Sequence, residues 1–111
     1  MKFTVSLKRN SDFRRLYAKG KSAAASRLVV YCRLREGERS RLGITVSTRL
    51  GKAVVRNRVR RRIREIYRTN ESRLRPGTDL VVVARSKAVT STYWELEADF
   101  LRLAGKLGIL V

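Results

Sequence analysis

The fold of this chain is decided by residues 52–68, which read KAVVRNRVRRRIREIYR. Seven of the first thirteen residues are Lys or Arg, yet a Val or Ile recurs every few positions. Counting 100° per residue places the aliphatic side chains on one stripe about 80° wide. Its members are Val55, Val59, Ile63 and Ile66, with Tyr67 just beyond. The segment therefore predicts a helix of about 17 residues whose apolar stripe packs on the rest of the domain.

The basic residues occupy the other sides of this predicted helix. The outer face holds Asn57, Arg61, Arg64 and Arg68, flanked by Arg58 and Arg60, while Arg56 and Arg62 border the apolar stripe. Like charges four residues apart destabilise a helix, and only Glu65 relieves them, so an ordinary solvated face is the weaker interpretation. The guanidinium fork can bind phosphate oxygens bidentately and stack on bases. We therefore predict a phosphate-binding face.

The approach to the helix adds to this face. Arg49 and Lys52 bring positive charge beside the helix N-terminus, whose unpaired N–H groups also favour phosphate. Asn57 is open to two interpretations. It is either an exposed amide of the first turn or a group that binds RNA backbone, a base edge or a hydrated metal ion.

Composition points to the same class of partner. The 111 residues suit one domain, 1–111, and 43% of them are hydrophobic. A formal net charge of +18 and an isoelectric point near 11.6 make sense if a polyanion neutralises the surface in use. No stretch approaches 18 consecutive apolar residues, so we expect a cytoplasmic protein that binds nucleic acid and not membrane.

The reactive residues are few. The single cysteine, Cys32, excludes an intrachain disulfide, and it cannot form a Cys/His zinc site because the chain has no histidine. Histidine is also the commonest general base near neutral pH. Nuclease chemistry by the polypeptide's own side chains is therefore not expected.

The remaining elements follow from periodicity and turn residues. A short helix is predicted over SDFRRLYAKG, capped by Asn10 or Ser11. Strands are predicted over 27–35, 41–47 and 79–85, the first two as a hairpin, the third central because it is apolar on both faces. A last helix follows a capping box of Thr92 and Glu95, with Trp94 at the edge of the core, and GILV at 108–111 suggests a short final strand. The order helix, strand, strand, helix, strand, helix describes an α+β fold.

Aromatic residues form a second candidate site. Phe13 and Tyr17 share a face of the first helix, and Tyr31 shares a strand face with Arg33 and Arg35. Each ring taken alone fits a place in the core better than a place in a binding site. If the first helix lies over that strand face, the three rings line one groove suited to stacking unpaired bases.

Three other protein classes fit parts of this pattern. A ribosomal or general RNA-binding protein would have the same charge, a self-sufficient nuclease would also bind RNA, and a membrane-surface helix would be basic and amphipathic. The third fits least well, since Val and Ile suit packing on a sheet better than insertion among lipids.

Several segments together resemble the bacterial ribonuclease P protein subunit family. They are LKRNSDFRRLYAKGKS, LVVYCR, RLGITVSTRLGKAVVRNRVRRRIREIYR and GTDLVVVAR, with Arg56-Asn57-Arg58 as the family's signature. The resemblance implies a small, mostly antiparallel sheet of about four strands packed with helices, as in the second domain of small-subunit ribosomal protein five. The basic helix would form a left-handed crossover between parallel strands.

The resemblance also implies a function. The polypeptide would assist a catalytic RNA, ribonuclease P RNA, that removes the 5′ leader from precursor tRNA with Mg²⁺ held mainly by the RNA. No small-molecule substrate is implied. The residues facing the catalytic RNA would be Arg49, Lys52, Arg56, Asn57, Arg58, Arg60, Arg61, Arg64 and Arg68. The leader-binding cleft would hold Phe13, Tyr17, Tyr31, Arg33 and Ser47, with Tyr17 standing where Phe is common. No metal ligand is assigned.

Overall fold

The computed structural model describes residues 1–35 and 37–111. In chain order the strands and α-helices are β1 (Thr4–Ser6), α1 (Asn10–Lys19), β2 (Lys21–Ala24), β3 (Leu28–Leu34), β4 (Ser40–Thr45), α2 (Ala53–Asn70), β5 (Thr78–Ala84) and α3 (Tyr93–Lys106). The strands form one sheet in the order β1-β4-β5-β3-β2. The α+β class is confirmed, and α2 connects β4 to β5, which are parallel neighbours, as the family resemblance implied.

The sheet is larger and more mixed than predicted. It has five strands within the described residues, and two of its pairings are parallel (β1 with β4, β4 with β5) and two antiparallel (β5 with β3, β3 with β2). Sequence patterns missed β1 and β2 because they read TVS and KSAA, too short and too poor in large apolar residues to show alternation. Both lie at the edges of the sheet, where short strands are common.

The predicted hairpin between β3 and β4 is wrong. The two strands run in opposite directions, but β5 lies between them and pairs with both. The reason is the apolar run of β5, in which Leu80, Val81, Val82 and Ala84 are buried. Such a strand gains most from a central position. The predicted final strand is reduced to a single antiparallel bridge between Leu74 and Leu110.

One face of the sheet carries the main core. Helices α2 and α3 lie side by side on it, and the apolar stripe of α2 is buried as predicted, with Val59, Ile63 and Ile66 at most 2% exposed. Phe100 of α3 is 1% exposed in the same core. Cys32 is buried there, and burial raises the pKa of its thiol, so it serves as a small apolar side chain.

The other face is covered by α1 alone. Leu16 packs with Leu7 and Val81 in a smaller apolar cluster. The helix ends at Gly20 as predicted, but it begins at Asn10 itself. Arg9 is at the capping position and its side chain makes no capping hydrogen bond.

Helix α3 begins with the predicted capping box. Thr92 accepts from the N–H of Glu95, and Glu95 accepts from the N–H of Thr92. The prediction that Trp94 closes the edge of the core is wrong, because its side chain points outward and is 72% exposed.

Candidate nucleic-acid interface

The outer surface of α2 presents the predicted arginines. Because the apolar stripe faces the sheet, Asn57, Arg58, Arg61, Arg64 and Arg68 are exposed, and Arg56, Arg60 and Arg62 are half-buried at the flanks. Arg62 donates from Nη1 to the carbonyl oxygen of Ser91 at 2.8 Å. This side chain therefore joins α2 to the segment before α3. The other arginines are directed away from the core.

These arginines form two neighbouring rows on the outer surface of the helix. Counting from Val55 places Arg56, Arg60 and Arg64 between about 100° and 180°, and Arg58, Arg61 and Arg68 between about 220° and 300°. Arg60 and Arg64 line a groove beside β1 and β4. The second row lies on the side of α2 that faces α3, which the Arg62–Ser91 contact identifies.

Charge on α2 is mostly unmatched by carboxylates. Arg68 pairs with Glu65 at 2.5 Å, and this hydrogen-bonded pair lowers the pKa of the Glu65 carboxyl. Within residues 1–35 and 37–111, Arg58, Arg61 and Arg64 form no ion pair. A polyanion can therefore bind them without first displacing a protein carboxylate.

Asn57 contacts its own helix. Its Oδ1 accepts from Nη1 of Arg60 at 3.3 Å, which leaves the amide N–H groups for another partner. The contact supports neither of the two interpretations of this residue over the other.

The approach to α2 is a short capped turn. Ser47 accepts a hydrogen bond from the N–H of Arg49 and so begins the 3-10 turn Thr48–Leu50. Arg49 and Lys52 are both exposed beside the start of α2. Ser47 lies past the end of β4 and is exposed, and the floor of the aromatic groove is formed by Thr45.

The three predicted aromatic rings do come together, but only those of Phe13 and Tyr17 line the groove, and Tyr31 packs against Tyr17. The ring centroids of Phe13 and Tyr17 lie 6.4 Å apart, and those of Tyr17 and Tyr31 lie 4.9 Å apart in an edge-to-face arrangement. The Tyr17 hydroxyl and the Thr45 hydroxyl are hydrogen-bonded at 2.9 Å. This aromatic groove, about 520 Å³ in volume, is lined by Asn10, Phe13, Arg14, Tyr17 and Thr45.

Gly43 seats one of these rings. A Cβ atom at this position would lie 2.6 Å from the ring of Phe13, so only glycine allows the ring to rest against β4. The absence of a side chain at Gly43 thus makes room for a side chain of the protein itself.

Phe13 joins the aromatic groove to the arginines of α2. The same ring lines the groove beside β1, about 350 Å³, together with Arg60 and Arg64. Strand β1 supplies the outer wall of this junction, and no pattern in the sequence predicts this strand. The wall is held by Glu71, whose carboxylate accepts from the backbone N–H groups of Lys2 and Phe3 and from the Thr4 hydroxyl.

Arg33 lies on the opposite side of α1 from the aromatic groove. It lines a separate polar cavity of about 380 Å³ with Arg15, Arg35 and Arg41. Arg41 is committed there to Asp79, with Nη2 2.6 Å from Oδ2, and the bond raises the pKa of the guanidinium. The structure thus groups Phe13, Tyr17 and Tyr31 and separates Arg33 from them.

Two further features bear on the alternative protein classes. The described part of the chain contains no cluster of three or more His, Cys, Asp or Glu side chains able to hold a metal ion. None of its helices combines the length and hydrophobicity needed to cross a bilayer.

Comparison with known proteins gives a consistent answer. The chain matches the family model described as Ribonuclease P over residues 1–108. It is 41% identical to the ribonuclease P protein component of Alkaliphilus metalliredigens over 94% of both chains. It is 40% identical to that of Clostridioides difficile, over 97% of this chain and 96% of the relative.

Solved structures agree with the sequence relatives. The RNase P protein of Staphylococcus aureus superposes with a TM-score of 0.86 at 34% identity, covering 96% of this chain and 97% of the other. The RNase P protein of Thermotoga maritima superposes with a TM-score of 0.80 at 33% identity, covering 88% and 93%. The chain therefore belongs to the ribonuclease P protein family, whose members are protein components of ribonuclease P.

Proposed function

We propose that this protein binds ribonuclease P RNA through the outer surface of α2 and binds the 5′ leader of precursor tRNA in the aromatic groove. The observation that carries the proposal is the junction at Phe13, whose ring lines both the aromatic groove and the groove walled by Arg60 and Arg64. The two RNAs can therefore meet at Phe13, with the leader on the rings and ribonuclease P RNA on the arginines.

The RNA-facing surface works because α2 is rigid. Val59, Ile63 and Ile66 fix the helix on the sheet, so the arginines keep their spacing instead of collapsing around a ligand. Their charge neutralises phosphates and releases counterions, which makes binding strong and dependent on salt. The +18 net charge also reduces repulsion between the two RNAs that must meet.

The leader-binding surface works by stacking. Tyr17 is 40% exposed, and the edge-to-face contact with Tyr31 holds its ring in place. Every base has a stackable face, so rings bind single strands with little sequence preference. Arg14 on the rim can hold a phosphate beside a stacked base.

Catalysis is assigned to the RNA subunit. Mg²⁺ held by the RNA would supply the activated water that attacks phosphorus and the stabilisation of the leaving oxygen. The role of this chain's residues is to bind the leader, align the substrate on the RNA and lower the Mg²⁺ concentration that cleavage requires. We place this activity in the cytoplasm.

Reconstitution tests the proposal against a general RNA-binding protein. The chain, added to a bacterial ribonuclease P RNA at limiting Mg²⁺, is expected to raise the rate of precursor-tRNA cleavage well above that of the RNA alone. No increase would contradict the proposal. Protein rigorously freed of RNA is the matched control, and specific cleavage by it alone would instead support the self-sufficient nuclease.

The membrane-surface alternative conflicts with the buried stripe of α2. Ile63 and Ile66 are each 1% exposed, so the apolar face that would enter a bilayer is already covered by the sheet. Liposome binding that survives added RNA would be needed to restore it.

A further inference from the structure

Trp94 is the most exposed aromatic residue among those described, and neither RNA surface proposed above includes it. It is the only tryptophan in the chain and lies in the first turn of α3 with 72% of its surface exposed. Tryptophan usually buries most of its surface, and an exposed one is enriched at binding sites. The capping box that begins α3 is formed by Thr92 and Glu95, and the side chain of Trp94 takes no part in it.

The ring of Trp94 is held by its neighbour. Tyr93 contacts it edge to face, with ring centroids 5.0 Å apart and ring planes at 83°. The Tyr93 hydroxyl in turn lies 3.5 Å from the hydroxyl of Thr69 on α2. The indole of Trp94 therefore packs on Tyr93, and Tyr93 connects α3 to the basic helix α2.

Helical geometry places Trp94 on the same outer surface as the second arginine row. On α3, Glu97 faces α2, since it accepts a hydrogen bond from Asn70 at 3.0 Å. Trp94 lies about 60° from Glu97 around the helix, turned toward solvent. On α2, Thr69 and Asn70 make the contacts to α3, and Arg68 precedes them on the exposed side.

The acidic groups near this surface are already engaged. Glu65 is bound by Arg68, Glu97 by Asn70, and Glu95 by Arg27 at 2.9 Å. Arg58 and Arg61 of the second row have no carboxylate partner within the described residues. A flat aromatic ring on the same outer surface as unmatched guanidinium groups fits a segment of RNA, with a base on the ring and phosphates on the arginines.

We propose that Trp94, supported by Tyr93, stacks on an unpaired base of ribonuclease P RNA while the second arginine row of α2 binds the adjoining phosphates. This inference rests on the proposed function and extends it to a third surface. The aromatic groove lies on the α1 face of the sheet, whereas α2 and α3 cover the opposite face. An RNA segment bound at Trp94 is therefore separate from the leader. The ligand is therefore the RNA subunit and not the substrate.

The single tryptophan makes the test direct. Its intrinsic fluorescence is measured while ribonuclease P RNA is titrated into the full chain, and binding is followed separately by gel mobility shift. The fluorescence is expected to be quenched in step with binding. Leader oligonucleotide alone is expected to leave it unchanged.

Variants distinguish stacking from a structural role. Trp94→Ala is expected to weaken binding of the RNA subunit about tenfold, the effect of losing one stacked base, with no change in the salt dependence. Trp94→Phe is expected to retain most of the affinity because a ring remains. Val111→Ala, at another exposed apolar position, is the matched control and should bind as the unmodified chain does.

Several results would overturn the inference. If the RNA binds without quenching, or binds Trp94→Ala with unchanged affinity, Trp94 is not a contact while the proposed function stands. Quenching by anionic lipid vesicles but not by RNA would assign the residue to a membrane. If the RNA subunit fails to bind in the mobility shift, the proposed function and this inference fail together.

Discussion

The two faces of the sheet are built for different purposes. Beneath α2 and α3, Leu28, Val30 and Val82 have no exposed surface at all, whereas on the α1 face Tyr17 keeps 40% of its surface exposed. One helix cannot cover five strands, so the second face keeps grooves that two helices remove from the first. The difference suggests that stability comes chiefly from the closed face, whereas the groove proposed for the leader remains on the open one.

The largest effect should follow from opening the closed face. Phe100→Ala removes a ring that is 1% exposed and is expected to lower the free energy of unfolding by about 4 kcal/mol. Urea denaturation measures it. Tyr17→Ala on the open face is the comparison and should cost about 1 kcal/mol, since its ring is partly solvated already. Equal losses in the free energy of unfolding would mean that the two faces contribute equally to stability.

The next effect concerns Glu71, which holds β1 at the edge of the open face. Burial alone would raise the pKa of its carboxyl, but hydrogen bonds from Thr4 and from the N–H groups of Lys2 and Phe3, with the N-terminal ammonium, outweigh burial and lower it. The stabilisation is therefore present above the ordinary value of 4.5 and is lost as pH falls through the lower folded pKa.

Glu71→Gln removes this charge with little change in shape. The variant is expected to be about 2 kcal/mol less stable at neutral pH and to lose part of the stability change seen between roughly pH 5 and pH 3. Unfolding measured across that range checks the expectation. A variant that keeps the full acid dependence would show that Glu71 does not hold β1.

A smaller effect should distinguish the binding of precursor tRNA from that of mature tRNA. Tyr17→Ala removes a stacking ring and is expected to weaken binding of precursor tRNA to the reconstituted enzyme about tenfold, with little change for mature tRNA. Tyr17→Phe should bind precursor tRNA nearly as well, because the ring remains and only the hydrogen bond to Thr45 is lost. Equal losses for both tRNAs would remove Tyr17 from the leader site.

The smallest effect is a change of slope. Arg64→Ala is expected to lower the dependence of log affinity on log salt concentration by about 0.7 to 0.9, because one phosphate contact is lost. Titrations with the RNA subunit at several salt concentrations measure it. Lys106→Ala, a charge removed from the end of α3, is the control. A slope that falls as much in the control would show that only net charge matters.

The periodic patterns of the sequence predicted the long elements well. The stripe of α2 and the capping box of α3 are local features, set by residues within a few positions of each other, and both are confirmed. The grouping of Phe13, Tyr17 and Tyr31 was conditional on α1 lying over β3, which the structure bears out. Short-range sequence patterns were sufficient to predict a contact wherever the contacting residues lay on one element or on two elements that face each other.

Contacts between segments far apart in the sequence could not be predicted from sequence patterns. The hydrogen bonds of Glu71 to Lys2 and Phe3 span more than 60 positions, and no pattern within TVS announces a strand. The outward orientation of Trp94 was missed because its neighbours on α3 are apolar enough to suggest a core edge. The separation of Arg33 from the aromatic groove depends on which side of α1 the strand end reaches.

The amino-acid sequence by itself determined the amphipathic basic helix, the central apolar strand and the strongly positive net charge, because each depends on composition or on short-range periodicity. Only the tertiary structure decided that β5 would separate β3 from β4 and that β1 would pair with β4 to wall a groove beside Arg60 and Arg64. Strand order and groove shape depend on which distant surfaces bury the most apolar area together, and a linear sequence does not display that quantity.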